Sequence, residues 1–293
     1  MIQKQITYNE IQAQSALNKL KRKIPYGWDL NIYRGCAHGC KYCYAMYSHD
    51  YLGSNGNKFA RDIYVKKNIV EELEKELAAP SWQREVINIG GVTDSYQPAE
   101  AKYQLMPQIL KLLIKYKTPA IISTKSSLVL RDFDLIDELS RLTYINIAAT
   151  ITTVDEEIRE KLEPGSASTQ ERFQVLKEFR KTNASIGLHV MPIIPLLTDD
   201  QSNFEQMFTQ AKECGVDYVL PGTLYLRGST RPIFLEFIKQ EFPYIYADLI
   251  ALYAKGGVDK EYKNKLYVLV NRLRDKYNLS SSYMKPMREK LKS

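Results

Sequence analysis

NIYRGCAHGCKYCY, residues 31–44, places Cys36, Cys40 and Cys43 in a C-x3-C-x2-C array, with Tyr42 and Tyr44 on either side of the third cysteine. Cys214 is the only other cysteine in the chain. Three thiols this close, with no fourth nearby, describe a metal site that keeps one coordination position open. The segment running into them, WDLNIYRG, alternates in character and predicts a short strand ending at Gly35, so the cysteine loop begins just past a strand's C-terminal end.

Working outward, strands and helices alternate. Short apolar runs occur at 86–89, 120–122, 145–149, 186–191 and 218–220, each ended by glycine, proline or polar residues. Between them IVEELEKELA, MPQILKLLIKY, FDLIDELSRL, QERFQVLKEFRK and FEQMFTQAKEC carry apolar residues at three- and four-residue spacing, as helices do. With WDLNIYRG the strands number six, joined largely by single helices, which predicts an α/β fold with a parallel sheet and right-handed crossovers. The expected architecture is a partial (β/α)6 TIM-type barrel. Its strand ends would gather the cysteines, 90–94, 123–125, 150–153, 189–192 and 221–223 at one rim, where such folds build their sites.

Residues 1–26, with the basic run Lys19, Lys21, Arg22 and Lys23 ahead of Pro25 and Gly27, read as a helical lead-in followed by a turn. Residues 27–228 form the expected core, and 229–293 a basic C-terminal helical extension. From 255 to 293 there are eleven Lys/Arg and four acids, so this segment carries +7, equal to the net charge of the whole 293-residue chain. A pI near 9.0 favours polyanionic partners. A solvated basic face is the plainer reading of the same charges. No apolar run approaches the ~18 residues of a membrane span, and MIQKQITYNE has no apolar core of an export signal. With three of four cysteines clustered, the expectation is a cytoplasmic protein with a metal or redox site rather than disulfides.

A [4Fe-4S] cluster takes one thiolate on each iron, so three cysteines leave one iron for another ligand. S-adenosylmethionine can supply an amine and a carboxylate there, and one-electron reduction then cleaves its C–S bond to a 5′-deoxyadenosyl radical, chemistry that belongs to the cofactor. The alternative is zinc held by the three cysteines with His38 or His49, although zinc sites more often pair two separated knuckles. Cys214, at the end of a helical segment, reads as a buried structural cysteine.

CAHGCKYC, with an aromatic before the third cysteine, resembles the signature of the radical S-adenosylmethionine (radical SAM) superfamily. TKS at 124–126, LEPGSASTQER at 162–172 and MPIIP at 191–195 look like segments of its spore photoproduct lyase-like, DNA repair photolyase-like branch, over roughly residues 17–222. The resemblance implies that Cys36, Cys40 and Cys43 hold the cluster and that Tyr42 lies near the adenine. It also implies that the Gly90, Gly91, Thr93 and Asp94 loop meets the methionine amine, and that Lys125 pairs with the methionine carboxylate. Thr150 or Thr152 would contact the ribose, and Met191 would line the adenosyl pocket. An external one-electron reductant such as flavodoxin or ferredoxin is implied as well.

Plainer readings stand beside these. Gly90-Gly91 can be only a turn, Asp94 a helix cap, Met191 core packing, His189 a hydrogen-bonded interior histidine, and Glu163 with Arg172 a structural ion pair. One departure bears on function. Lyases of that branch use a cysteine in the loop after the second strand to return a hydrogen atom, and here the loop is GGVTDSY. Tyr44 and Tyr96 are then the candidate catalytic hydrogen donors. The expected function is hydrogen abstraction from an organic substrate, a nucleic acid or nucleotide in the first reading. A small metabolite or peptide is the second, and a non-catalytic, metal-braced nucleic-acid-binding protein the third.

Overall fold

The computed structural model describes all residues except 1–4, 22–23, 25, 54–55 and 293. Its strands are β1 (Thr7–Ile11), β2 (Leu17–Lys19), β3 (Trp28–Leu30), β4 (Tyr33–Arg34), β5 (Asp62–Lys66), β6 (Ile87–Ile89), β7 (Ala120–Thr124), β8 (Ile145–Thr150), β9 (Ser185–Ile193) and β10 (Tyr218–Thr223). The main sheet runs β10-β9-β8-β7-β6-β3-β2. Six of these strands are parallel and lie in chain order, with β2 added antiparallel to β3. This is the predicted set of six, joined as an open sheet rather than a closed barrel. β8 is buried at every residue, the pattern of a parallel strand covered on both faces.

The helices are α1 (Ile69–Ala78), α2 (Pro98–Tyr103), α3 (Leu105–Tyr116), α4 (Phe133–Leu142), α5 (Glu156–Leu162), α6 (Thr169–Phe179), α7 (Gln201–Cys214), α8 (Thr230–Glu241), α9 (Tyr246–Leu252), α10 (Lys260–Tyr277) and α11 (Met284–Lys292). Local chemistry sets several boundaries. Ser168 and Glu171 form a reciprocal capping box at the start of α6, and Asp200 caps α7, which stops at Gly215 with φ +67°. Helices α1 to α7 connect the parallel strands, and their apolar faces share one core with the strand residues that point toward them.

The other face of the sheet curls around an interior space. Asn88 of β6 and Leu220 of β10 line one cavity of about 100 Å³. In a flat sheet strands four places apart would be separated by roughly 19 Å. Side chains alternate faces along each strand, so Ser123 shares the inner face with Lys125, His189 with Met191, and Asn146 with Thr150. Gly187 is required here, since a Cβ would sit 2.2 Å from the Tyr218 ring. Gly187→Ala is expected to lower stability by ~1–3 kcal/mol through overpacking, read as a fall in the denaturant midpoint at constant slope.

The amino-terminal helix expected over 1–26 is not what forms. Residues 7–11 and 17–19 are strands, while Arg22, Lys23 and Pro25 lie outside the described residues. The reason is long-range pairing. β1 lies parallel to β5, which pairs antiparallel with β4. The Asn68 side chain takes both backbone groups of Ala13, and the Glu76 carboxylate accepts from Ala16 and Leu17 N–H at 2.8 and 2.9 Å. WDLNIYRG likewise splits between two sheets, as β3 and β4.

The C-terminal segment is helical as predicted. α10 buries Leu266, Val270 and Leu273 and lies on α7, where Lys276 meets Glu205 at 2.9 Å. The Val219 N–H donates to the Ser280 carbonyl at 2.8 Å, which engages the edge strand β10. Among the described residues no helix is long and apolar enough to cross a membrane.

Candidate metal and cofactor site

The cysteine loop is a series of tight turns. Gly39 N–H donates to the Cys36 carbonyl, Cys43 N–H to Cys40, and Met46 N–H to Cys43, each at 3.3 Å. Gly35 and Gly39 take positive φ, and a Cβ on Gly35 would meet two backbone carbonyls at 2.8 Å. Cys36 is buried, and Cys40 and Cys43 are partly exposed. Burial pushes the Cys40 thiol up to about 11, against the nearby Lys125 ammonium, and Cys43 up to about 12. A bound metal supplies the positive charge that thiolates need in such a place.

Three neighbouring segments clamp this loop. From the glycine loop, Thr93 and Gln97 both donate to the Gly35 carbonyl, at 2.7 and 2.9 Å, and Gln97 Oε1 accepts from Ala37 N–H at 2.8 Å. From the LEPGS segment, the Leu162 carbonyl accepts from Lys41 N–H and Gly165 N–H donates to the His38 carbonyl, both at 2.9 Å. A Cβ on Gly165 would lie 2.5 Å from the Ala37 carbonyl. Gly165→Ala is therefore expected to displace the cysteine loop and to lower iron content after reconstitution, with a stability cost of ~1–3 kcal/mol. From α8, Thr230 donates to the Cys43 carbonyl at 2.8 Å.

Asp94 ties these parts to β7. Its carboxylate accepts from Tyr96 N–H at 2.9 Å, Thr124 Oγ1 at 2.8 Å and Lys125 N–H at 2.8 Å, and it lies 3.3 Å from His38 Nδ1. Burial alone would raise its pKa, yet the His38 imidazole and these hydrogen bonds hold it down at about 2. Asp94 caps no helix, since the N-cap of α2 is Gln97. It braces the site across three segments.

Glu163 is the second hub. Fully buried, it pairs with Arg172 Nη1 at 2.5 Å, accepts from the Tyr42 hydroxyl, and accepts from Thr152 Oγ1 at 3.0 Å. Arg172 also donates to the Thr150 carbonyl at 2.8 Å and to Ser166. The expected ion pair is thus present, and it positions Tyr42 and the end of β8. Thr152 spends its hydroxyl on Glu163, which leaves Thr150 as the threonine on the inner face. Lys125 lies 5.8 Å from the Tyr42 ring centroid. Among the described residues no carboxylate comes within ion-pair distance of its ammonium.

Gly90 has φ +89°, and its N–H donates to the Leu30 carbonyl at 2.9 Å. Gly91 leaves no room for a Cβ beside the Asp29 carboxylate, and its carbonyl accepts from the Tyr44 hydroxyl. Tyr44 is therefore brought onto the glycine loop next to the last cysteine. Met191 is half-buried, with its Cβ 3.2 Å from where Gly222 would carry one.

One expectation changes. Tyr96 is fully buried, and its hydroxyl donates to Asp132 at 3.0 Å within a network containing Arg131, Glu100 and Tyr33. Its side chain belongs to the core behind the loop, so it does not serve as an accessible hydrogen donor. Of the two histidines in the zinc alternative, His49 has its Nε2 on the Asp62 carbonyl at 2.9 Å, while His38 touches both Asp94 and Cys36. Among the described residues no three Cys, His, Asp or Glu side chains converge as they would around one ion. Sequence reasoning passed over Gln97, Asn31, whose amide oxygen accepts from Val92 N–H at 2.8 Å, and Thr230. Gln97 alone had a local signal, as a polar residue directly before a proline that opens a helix.

The thiol loop, the unpaired Lys125 ammonium and the inner-face groups around them fit a cluster with an organic ligand on one iron. Comparisons with known proteins agree. The sequence model described as the Radical SAM superfamily matches residues 30–208. An uncharacterised protein of Mycobacterium tuberculosis (strain ATCC 25618 / H37Rv) is 34% identical over 282 residues, covering 95% of this chain and 83% of that protein. A radical SAM Nalpha-GlyT isomerase of Pseudomonas phage M6 is 22% identical over 208 residues, covering 71% of this chain and 41% of that one. Among solved structures, a spore photoproduct lyase mutant with bound AdoMet and dinucleoside spore photoproduct superposes with a TM-score of 0.66 at 14% identity. It covers 92% of this chain and 79% of that one, a likeness of fold. With more than half of its length matched, this chain belongs to the radical SAM superfamily, whose enzymes use a [4Fe-4S] cluster and S-adenosylmethionine.

Proposed function

We propose that this radical SAM enzyme abstracts hydrogen from a nucleic acid or nucleotide substrate. Cys36, Cys40 and Cys43 would hold the cluster, and the 90–94 loop with Lys125 the methionine end of the cofactor. Tyr42, Thr150 and Met191 would border its adenosyl part. With an external one-electron donor such as flavodoxin or ferredoxin, the cofactor held there would supply 5′-deoxyadenosyl radical chemistry. The protein's own share is placement. Lys125 offers a fixed positive charge to a carboxylate, Asp94 and Glu163 lock the loops that face it, and the half-buried setting limits side reactions with water.

The observation that carries the reading is the unpaired Lys125 ammonium on the inner face beside the cysteine loop. Support for the substrate class comes from the dinucleoside named with the lyase structure, and from the +7 carried by residues 255–293. The test is anaerobic reconstitution with iron and sulfide, followed by chemical reduction. An intact cluster that yields no 5′-deoxyadenosine sinks the enzyme reading. DNA or RNA binding that does not weaken as salt rises sinks the nucleic-acid clause and favours a small metabolite or peptide. Lys125→Met is expected to raise KM for S-adenosylmethionine by about tenfold, the loss of one charge-assisted contact, with cluster content unchanged.

A further inference from the structure

The cavity inside the sheet lies one to two inner-face positions below Lys125, Thr150 and Met191. Ser123 and His189 are each two residues before Lys125 and Met191, about 6–7 Å along a strand. Asn146 and Tyr218 lie further down the same face, and Tyr283 of the C-terminal segment closes on Tyr218 with ring centroids 6.0 Å apart. The volume, about 100 Å³, is of the same order as the roughly 150 Å³ cavity that accepts a benzene ring.

Its lining is mainly apolar with a few polar groups and is uncharged: no Asp, Glu, Lys or Arg contributes. Asn146 is 1% exposed, and neither its amide nitrogen nor its amide oxygen has a hydrogen-bond partner among the described residues. The Tyr144 hydroxyl at the cavity wall and the neighbouring Ser185 hydroxyl are near one another, and neither has another partner among the described residues. The Tyr218 hydroxyl is occupied by His189 Nε2 at 3.0 Å. It is also the one protein group within reach of the Asn146 amide among the described residues, a contact too poorly aligned to satisfy either amide edge. Buried amides without partners are rare, because each lost hydrogen bond leaves a desolvated group. Burial, then the Lys125 charge, holds His189 down at about 4, so it is neutral at ordinary pH.

We infer that this cavity is a binding site for a neutral six-membered cyclic amide or imide, whose adjacent N–H and C=O pair with the Asn146 side chain. An amide side chain offers one donor edge and one acceptor edge in a plane, which matches such a ring. The Tyr144 hydroxyl supplies a further polar contact, and the tyrosine rings supply its faces, while both nitrogens of His189 are engaged by Tyr218 and Ser123. Charged groups are excluded because nothing in the lining compensates them. The inference rests on the enzyme reading above, and deepens it by placing the reacting ring beneath the cofactor.

The experiment titrates the full chain, iron-loaded and iron-free, with uracil, toluene and benzoate, using ligand-detected NMR and calorimetry. Uracil is expected to bind saturably in both forms, with toluene and benzoate at least tenfold weaker. Asn146→Leu is expected to weaken uracil at least tenfold while its melting temperature holds or rises, since no protein hydrogen bond is lost. A structural asparagine would instead lower it. Competition by uridine or by a single-stranded oligonucleotide supports the site and identifies whether the ring arrives free or on a strand. Absence of saturable uracil binding, meaning that the cavity holds only water, overturns the proposal. So does equal binding of benzoate, or an Asn146→Leu protein that binds uracil as well as the parent. Because uracil is scored on iron-free protein too, failure of S-adenosylmethionine cleavage leaves this result standing, and the reverse holds.

Discussion

Alanine at Cys36, Cys40 or Cys43 is expected to take reconstituted iron and sulfide well below the parent protein and 5′-deoxyadenosine formation to background. Each thiolate would hold a different iron, so no neighbouring cysteine could stand in, and Cys214 is held elsewhere, with its Sγ against the Phe173 carbonyl at 3.5 Å. The effect on folding should be small. Cys40 and Cys43 are partly exposed, and Cys36 packs as a small apolar side chain with Ala45, Met46 and Phe59. Removing it costs on the order of 1 kcal/mol. Metal analysis beside thermal melting of the iron-free proteins separates the two effects. A Cys40→Ala protein with full iron content and full cleavage would remove the basis for the site.

The largest effect on stability is expected at Glu163. Glu163→Ala leaves the Arg172 guanidinium buried and uncompensated, and removes the acceptor of Tyr42 and Thr152. The expected cost is ~3–5 kcal/mol, a fall in melting temperature of roughly 10 °C for a chain of this size. Pairing Glu163→Gln with Arg172→Met should recover much of it, because both charges leave together. The same pair sets an acid limb. Burial would raise the Glu163 pKa, but Arg172, Lys125 and Tyr42 hold it down at about 2 against an ordinary 4.5. A carboxyl depressed in the folded state stabilises fully above the ordinary value and loses that contribution as pH falls toward 2. Glu163→Gln should therefore flatten stability between about 4.5 and about 2. An unchanged acid limb would show that the pair does not couple to folding.

Much of the architecture was legible because it rests on local pattern. Five apolar runs marked five of the six parallel strands, and the segment 69–78 reads as a helix from its own spacing. The amino-terminal strands were not legible. β1 and β2 are short, partly exposed segments whose partners lie about 55 residues away in β5 or in β3, and only pairing makes them strands. WDLNIYRG has no internal mark at the point where it leaves one sheet for another.

The site divides along the same line. Cys36, Cys40, Cys43 and Lys125 were readable because metal spacing and a lone cation at a strand end are one-dimensional signals. The roles of Asp94 and Glu163 were not, since each carboxylate is defined by partners that approach from three segments. Nor was the fate of Tyr96, which sits in the glycine loop by sequence but in the core by packing.

By itself the sequence determined the candidate cluster cysteines, the radical SAM signature and the alternation of strands and helices, because each is written in the spacing of neighbouring residues. Only the tertiary structure decided which polar groups are already satisfied and which are left over. That outcome depends on distances between residues far apart in the chain. Among the described residues it leaves Lys125 without a carboxylate partner and the Asn146 amide without a well-formed hydrogen bond.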